Sequence, residues 1–374
     1  MKKKKILMIG TRGIPANYGG FETCVEEISI RLKAQFDIIV YSREKNTSPK
    51  NKKYNNIKII YLPALKSKAL ETLSHTFICT LHAIIYHRDS VIMAFNVANV
   101  LPLSLAKIFG MRIIINTDGL EWKRDKWGVI GRYFFQFSEW LTSKMLNYIV
   151  TDSIGMHDYY KRRWSAISEI IEYGAYIENK TIIPDELKNK YGIEDRQFFL
   201  QITRFEPENN PLLTIDAFKR FNRKYKNKYK LILIGDVPYQ SEYSKEIWAQ
   251  DDENIILTGY IYNKNILNIL RTNCLSYIHG NQVGGTNPAL LEAMGSSSFI
   301  ICRNVEFNRE VLKSGGIYYD LSIESLSQCM EWVVVNKDIL GEKVKQSVSR
   351  IKEYYNWENI SSKYKTLFLK VYSK

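Results

Sequence analysis

The sequence predicts an α/β chain: two Rossmann-like domains in tandem, facing a central cleft. Short apolar runs alternate with longer amphipathic stretches, the rhythm of parallel strands covered by helices on both faces. The rhythm completes one set, breaks at a polar stretch and restarts. The 374 residues also amount to about two domains at ~100–200 residues each.

In the first set, Lys5–Ile9 reads as a buried strand and Phe21–Ala34 has helical spacing. Ile38–Tyr41, Ile57–Tyr61, Val91–Phe95, Ile113–Asn116 and Tyr148–Thr151 follow as strands, with helices at Ala98–Phe109 and Tyr133–Leu146. The apolar run Thr76–Tyr86, interrupted by His82, reads as a buried helix and is too short to span a bilayer. The second set has strands at Phe198–Thr203, Leu231–Gly235, Ile255–Leu257, Leu275–Ile278 and Phe299–Cys302. Its helices fall at Pro211–Lys224, Lys264–Arg271, Pro288–Met294 and Ser325–Val335. The joint lies in the polar stretch Glu178–Asn189, so the domains are expected at 1–178 and 179–354, with a final segment at 355–374. Ligands of open α/β sheets bind outside the carboxyl ends of the strands, where both halves can contribute loops.

Hydrophobic residues make up 45% and charged residues 25%, which excludes a mainly disordered chain. Net charge is +14, and it is uneven: residues 1–180 carry 27 basic and 16 acidic side chains, residues 181–374 carry 26 and 23. A basic first half points to an anionic partner, for which nucleic acid, an acidic membrane surface or a phosphorylated substrate qualify. Five cysteines without a C-x-x-C pair argue against a disulfide framework and a zinc site. Ile6–Gly10 is too short for a signal-peptide core, so a cytoplasmic protein is expected.

Four loops at strand ends carry the chemistry. GTRGIPANYGGFE, 10–22, opens the first helix; its glycines allow tight turning and close approach to a ligand. It is neither the dinucleotide fingerprint nor a P-loop, because G-x-G-x-x-G spacing and a closing Gly-Lys-Ser/Thr are both missing. HGNQVGGTNPALLEAMG, 279–295, places Gly284, Gly285, Thr286 and Asn287 ahead of Pro288, so a helix start presents bare N–H groups suited to a diphosphate. Glu292, about one turn in, can accept two hydrogen bonds from a diol. TRFEPENNP, 203–211, sets Arg204 at a strand-to-helix turn, where a guanidinium can grip phosphate oxygens. NTDGLEWKRDKWG, 116–128, offers the carboxylates Asp118 and Glu121, the flat rings of Trp122 and Trp127, and the cations Lys123, Arg124 and Lys126. Asp118 can orient or deprotonate an acceptor hydroxyl. His279 is equally readable as a ligand-facing or a core residue. No D-x-D, G-x-S-x-G or H-E-x-x-H pattern occurs in a context that would suggest its chemistry.

GGTNPALLEAM resembles the donor-site signature of the retaining GT-B glycosyltransferases of family 4. GTRGIPANYGGFET, DGLEWKRDKWG, RFEPENN and VEFNREV (305–311) resemble a narrower branch, the bacterial rhamnosyltransferases that build capsule, O-antigen or rhamnose-rich wall polysaccharide. YNWENISSKYKTLF, 355–368, resembles the family's final helix, which crosses back to the first domain. The resemblance implies a GT-B fold and a nucleotide-sugar donor as substrate, with no cofactor and no metal. It implies that Glu292 binds the nucleotide ribose, that Arg204 binds phosphate, and that Gly19 and Gly20 lie near the reacting centre. Gly284 stands where the family has a glutamate, and Asn209 where it has a lysine, leaving Arg204, the helix start and Arg309 to face the diphosphate. On this reading Arg204, Asp118 and Gly20 are catalytic, Gly284, Gly285, Thr286, Asn287, Glu292 and Arg309 bind donor, and Gly19, Glu121 and Trp122 meet the acceptor. The implied partners are a polyprenyl-diphosphate-linked sugar and the anionic inner face of the bacterial membrane, on which the protein would sit peripherally, with no nucleic acid. A GT-B-fold epimerase, which would convert donor without acceptor, and a basic nucleic-acid binder are the alternatives.

Overall fold

The computed structural model describes residues 3–16, 19–43, 52–65, 67, 70–125 and 127–373. The chain forms two compact units: the first comprises Met1–Lys123, Trp127–Tyr173 and Trp357–Lys374, the second Arg124–Lys126 and Gly174–Asn356.

The first unit contains strands β1 (Lys4–Ile9), β2 (Phe36–Arg43), β3 (Lys53–Tyr54), β4 (Ile57–Leu62), β5 (Val91–Phe95), β6 (Arg112–Asn116), β7 (Tyr148–Thr151) and β8 (Glu169–Ile170). Its helices are α1 (Gly20–Leu32), α2 (Glu71–Tyr86), α3 (Val100–Ile108), α4 (Val129–Met145) and α5 (Ile154–Trp164). The sheet order is β3-β4-β2-β1-β5-β6-β7-β8, parallel except for the short β3–β4 pair. Strands of continuous apolar sequence lie at its centre; every residue of β5 is buried, as a strand covered on both faces requires. The order runs one way from β1 to β2 and the other way from β1 to β5. Right-handed crossovers therefore put α1 on one face and α2, α3 and α4 on the other.

The second unit contains α6 (Asp185–Tyr191), β9 (Phe198–Ile202), α7 (Pro211–Lys224), β10 (Lys230–Ile234), α8 (Glu242–Trp248), β11 (Ile255–Leu257), α9 (Lys264–Asn273) and β12 (Ser276–His279). It continues with α10 (Pro288–Gly295), β13 (Ile300–Arg303), α11 (Glu306–Leu312), β14 (Ile317–Tyr319), α12 (Ile323–Val335) and α13 (Leu340–Glu353). The all-parallel sheet runs β11-β10-β9-β12-β13-β14, and its core is aromatic, with Phe199, Phe218 and Phe221 in mutual contact.

The last helix, α14 (Trp357–Tyr372), belongs to the first unit and packs on α1. Arg31 reaches Glu358, and Phe368 meets the edge of Phe36 at 5.5 Å. One expectation is corrected. The apolar run 76–86 is helical but buried on one side alone: Thr76, Cys79, Thr80 and Ala83 point inward while Phe77, Leu81, Ile85 and Tyr86 are exposed. Among the described residues no helix is long and apolar enough to cross a membrane.

Candidate functional site

In the second unit, strand order reverses between β9 and β12, the place where open α/β sheets bind ligands. The loops leaving these two strands are 203–210 and 280–287. Gln282 N–H donates to the Glu208 carbonyl at 3.0 Å, and Asn210 Nδ2 donates to the Gly280 carbonyl at 2.8 Å. The structure thus brings the Arg204 loop and the 284–287 loop together at one edge of one sheet.

Close approach of backbones makes this possible. A Cβ on Gly280 would lie 2.2 Å from the Asn209 carbonyl oxygen, and one on Gly235 would lie 1.7 Å from that of Thr203. Asn209 is buried; its amide donates to the Arg204 carbonyl at 3.0 Å, and its own carbonyl accepts from Gln201 Nε2 at 3.0 Å. Asn209 thus braces the turn that presents Arg204.

Arg204 is partly exposed, with Nε 3.6 Å from the Glu206 carboxylate. Arg124, in the short segment that joins the second unit, lies 4.0 Å from the same oxygen and 3.7 Å from Glu208. Two guanidiniums and two carboxylates thus form one cluster, with Glu208 only 1% exposed. The sequence offered Arg124 as one of three neighbouring cations, but nothing in it paired that residue with Glu206 and Glu208. The cluster also divides the expected cationic group: Lys123 instead lies over the Trp122 ring, and Lys126 is outside the described residues.

Asn287, rather than Thr286, caps α10, accepting from Ala289 N–H at 3.0 Å. Gly284 has φ +137° and open space around its missing side chain, whereas Gly285 and Thr286 are buried. Glu292 is partly exposed, and one of its carboxylate oxygens is held by the buried Arg271. No sequence pattern marked Arg271; it sits in α9, and only the fold carries it under Glu292. Arg309 is exposed, with its guanidinium on Asn304. Its neighbour Asn308 is the buried member, donating to the Asn281 and Arg303 carbonyls. His279 is a core residue, 1% exposed; burial pushes its pKa down to about 3, so the ring is neutral.

In the first unit, the loop after β1 also lies at a reversal, between β2 and β5. Gly13 has φ +104°, and a Cβ there would meet Ser42 Oγ at 1.9 Å. Gly19 is extended and precedes α1, which Gly20 opens. Buried acids of α1 hold the loop: Glu22 accepts from Arg12 N–H at 2.8 Å, and Glu26 accepts from Ala16 N–H. Asn17 and Tyr18 of the motif lie outside the described residues.

Asp118 follows β6 with φ +60°, a conformation aspartate tolerates, and its N–H donates to Asn116 Oδ1 at 3.0 Å. It lies near the buried Tyr173, whose phenol is raised first by burial and then by the Asp118 charge. Tyr173 in turn lies 6.4 Å, ring to ring, from Phe21 beside Gly20, so Asp118 and the glycine loop share one neighbourhood. Glu121 is buried and accepts from the Trp127 indole at 3.3 Å. Trp122 and Trp127 pack on Val97, Ala98 and Phe135. Trp122 points its indole N–H at Tyr159 (3.2 Å), and Tyr159 donates to Glu139 at 2.7 Å. Burial pushes the Glu139 carboxyl up to about 7, against bonds from Tyr159 and Trp164 that hold it down. Among the described residues no group of three His, Cys, Asp or Glu side chains is placed to hold a metal.

Comparison with known proteins decides the class. Residues 184–354 match the family described as Glycosyl transferases group 1. The chain carries a glycosyltransferase domain. Residues 3–176 match a family described only as a domain of unknown function, DUF1972. Solved structures share the GT-B fold over nearly the whole chain. Sucrose-phosphate synthase from Thermosynechococcus elongatus is similar at TM-score 0.81 and 14% identity, covering 99% of this chain and 100% of that one. Anabaena HepE in complex with UDP-glucose is similar at 0.76 and 14%, covering 97% and 99%. A glycosyltransferase from Rickettsia africae is similar at 0.74 and 14%, covering 99% of each. No curated protein matches the chain. The chain therefore has the GT-B fold, and its match to glycosyl transferases group 1 lies in the unit that holds Arg204 and the 284–287 loop.

Proposed function

We propose that the protein moves L-rhamnose from dTDP-rhamnose to a polyprenyl-diphosphate-linked sugar, at the inner face of the bacterial membrane, during synthesis of a surface polysaccharide. The observation that carries the donor site is the convergence of Arg204 with the 284–287 loop at the strand-order reversal of the second unit. A nucleotide sugar is also the ligand named for the Anabaena relative, which holds UDP-glucose. The choice of rhamnose rests on the segments at 10–23, 118–128, 204–210 and 305–311.

On this reading the bond between the sugar carbon and the diphosphate oxygen breaks as the acceptor oxygen attacks from the same face. The configuration is retained, and the acceptor proton passes to the departing diphosphate oxygen. The protein's task is to stabilise the charge growing on that diphosphate. Arg204 is suited to it: its 3.6 Å contact with Glu206 is loose, and a diphosphate can replace it. The N–H groups at the start of α10 add the positive end of a helix. Glu292, braced by Arg271, keeps a carboxylate oxygen for the ribose diol. No metal and no cofactor take part, and Asp118 positions the acceptor.

The test is a transfer screen with dTDP-, UDP- and GDP-sugars and a lipid-linked acceptor. Turnover is expected with dTDP-rhamnose. Turnover with a UDP-hexose alone overturns the donor, and conversion without acceptor overturns transfer in favour of epimerisation.

A further inference from the structure

Helices α2, α3 and α4 form the outer layer on one face of the first unit's sheet, with α3 packed between the other two. Two of them are patterned inside out. Towards the protein, α4 buries Ser138, Glu139 and Thr142, together with Phe135. Away from it, Ile130, Tyr133, Phe137 and Trp140 recur at helical spacing and are exposed, Ile130 at 86%. In α2 the buried residues are His75, Thr76, Cys79, Thr80 and Ala83, none of them a large apolar side chain, while Phe77, Leu81 and Ile85 are exposed, Ile85 at 70%. Between them, α3 exposes Leu101, Ile108 and Phe109. A water-facing helix layer has the opposite pattern, and apolar exposure continued over three adjacent helices marks a surface that another phase covers.

Charge says which phase. Lys144 is exposed in line with Ile130 and Phe137, one heptad beyond the latter. Arg132 is exposed on α4, and the Arg88 guanidinium lies 5.8 Å over the Phe109 ring. On these three helices the only acids are Glu139, which is buried, and Glu71, which pairs with Arg43 at 3.0 Å; in the turn after α2, Asp89 is exposed beside Arg88. Apolar stripes with tyrosine and tryptophan, and more exposed cations than carboxylates, match an anionic lipid surface, where rings and aliphatic chains enter the headgroup boundary and the cations meet phosphate.

We propose that the α2–α3–α4 face is the membrane-docking surface of this protein, lying in the plane of an anionic leaflet. This deepens the reading of a lipid-linked acceptor and rests on it.

Vesicle flotation tests it, with phosphatidylcholine alone and with phosphatidylcholine mixed with phosphatidylglycerol. The wild type should float with the mixed vesicles, and less so as salt rises. The pair Ile130→Glu with Phe137→Glu should lower the bound-to-free ratio by at least about tenfold, since it removes two inserted apolar groups and adds two anions. The control Ile182→Glu, at an equally exposed apolar residue of the second unit, should bind as wild type. Both substituted α4 positions are exposed, so the melting temperature should stay within about 2 °C; if it does not, Ile130→Ser with Phe137→Ser serves in its place. Equal flotation of wild type and the α4 pair overturns this face but leaves the acceptor reading standing. A wild type that ignores mixed vesicles, or a dimer that the α4 pair splits into monomers, overturns membrane docking. Transfer measured in detergent micelles tests the enzymatic reading separately, because no leaflet is present there.

Discussion

The loop after β1 and the loops after β9 and β12 stand at equivalent places, the strand-order reversals of two parallel sheets, yet different chemistry holds them. In the second unit, bare backbone does the work. Gly235 and Gly280 let neighbouring strand ends touch, and the neutral amides of Gln201, Asn209 and Asn210 tie the carbonyls that result. In the first unit Gly10 and Gly13 are packed as closely, and buried carboxylates of α1 in addition reach back to the N–H groups of the loop. The difference teaches how each half tolerates change. The glycines of both frames leave no room for an added atom, but only the first unit's frame can also fail by losing charge-assisted bonds one at a time.

Four substitutions sharpen or break that contrast. Gly235→Ala should have the largest effect, because its Cβ would meet the Thr203 carbonyl at 1.7 Å on a backbone with φ +143°. More than about 3 kcal/mol of stability should go, read by urea unfolding; a mild loss would show that the frame is not rigid. Arg204→Ala should come next, cutting turnover by about 10²–10³ with an unchanged melting curve. Wild-type turnover would remove Arg204 from the mechanism.

Glu139→Gln probes a buried acid of α4 in the first unit. The folded carboxyl titrates near 7 and the unfolded one near its ordinary 4.5. Between those values the unfolded chain has released a proton that the folded chain keeps, so ionisation removes stability as pH rises. The variant keeps an acceptor oxygen for Tyr159. It should match wild type near pH 5 and exceed it by about 2 kcal/mol at pH 8. Thermal unfolding at the two pH values measures the difference, and an equal offset at both would refute the raised carboxyl. The smallest effect is expected for Glu22→Gln, which exchanges a charge-assisted bond to Arg12 N–H for a neutral one, at about 1 kcal/mol. Amide exchange of the 10–16 loop should rise in this variant while that of 280–287 stays fixed.

Much of this molecule is legible in the order of its residues. Val91–Phe95, Tyr148–Thr151 and Pro211–Lys224 coincide with β5, β7 and α7, since continuous apolar runs and a clean amphipathic stripe each allow one arrangement. The short β8 and the polar α5 escaped, because two residues show no period and IGMHDYYKRRW has almost no apolar stripe. At the site, the helix start at Pro288 was readable, and the fold made Asn287 its cap. Arg271 under Glu292, and Arg124 beside Glu206 and Glu208, were not readable, being brought in from 21 and more than 80 residues away.

Residue order alone determined the two sheets, the glycine loops at their carboxyl edges and the helix start behind Gly284, since each depends on propensities and spacings a few residues long. Only the tertiary structure decided which charges meet and which sides of α2 and α4 look outward. Those outcomes depend on contacts between distant segments, and a helix with two usable faces does not say which one the sheet will take.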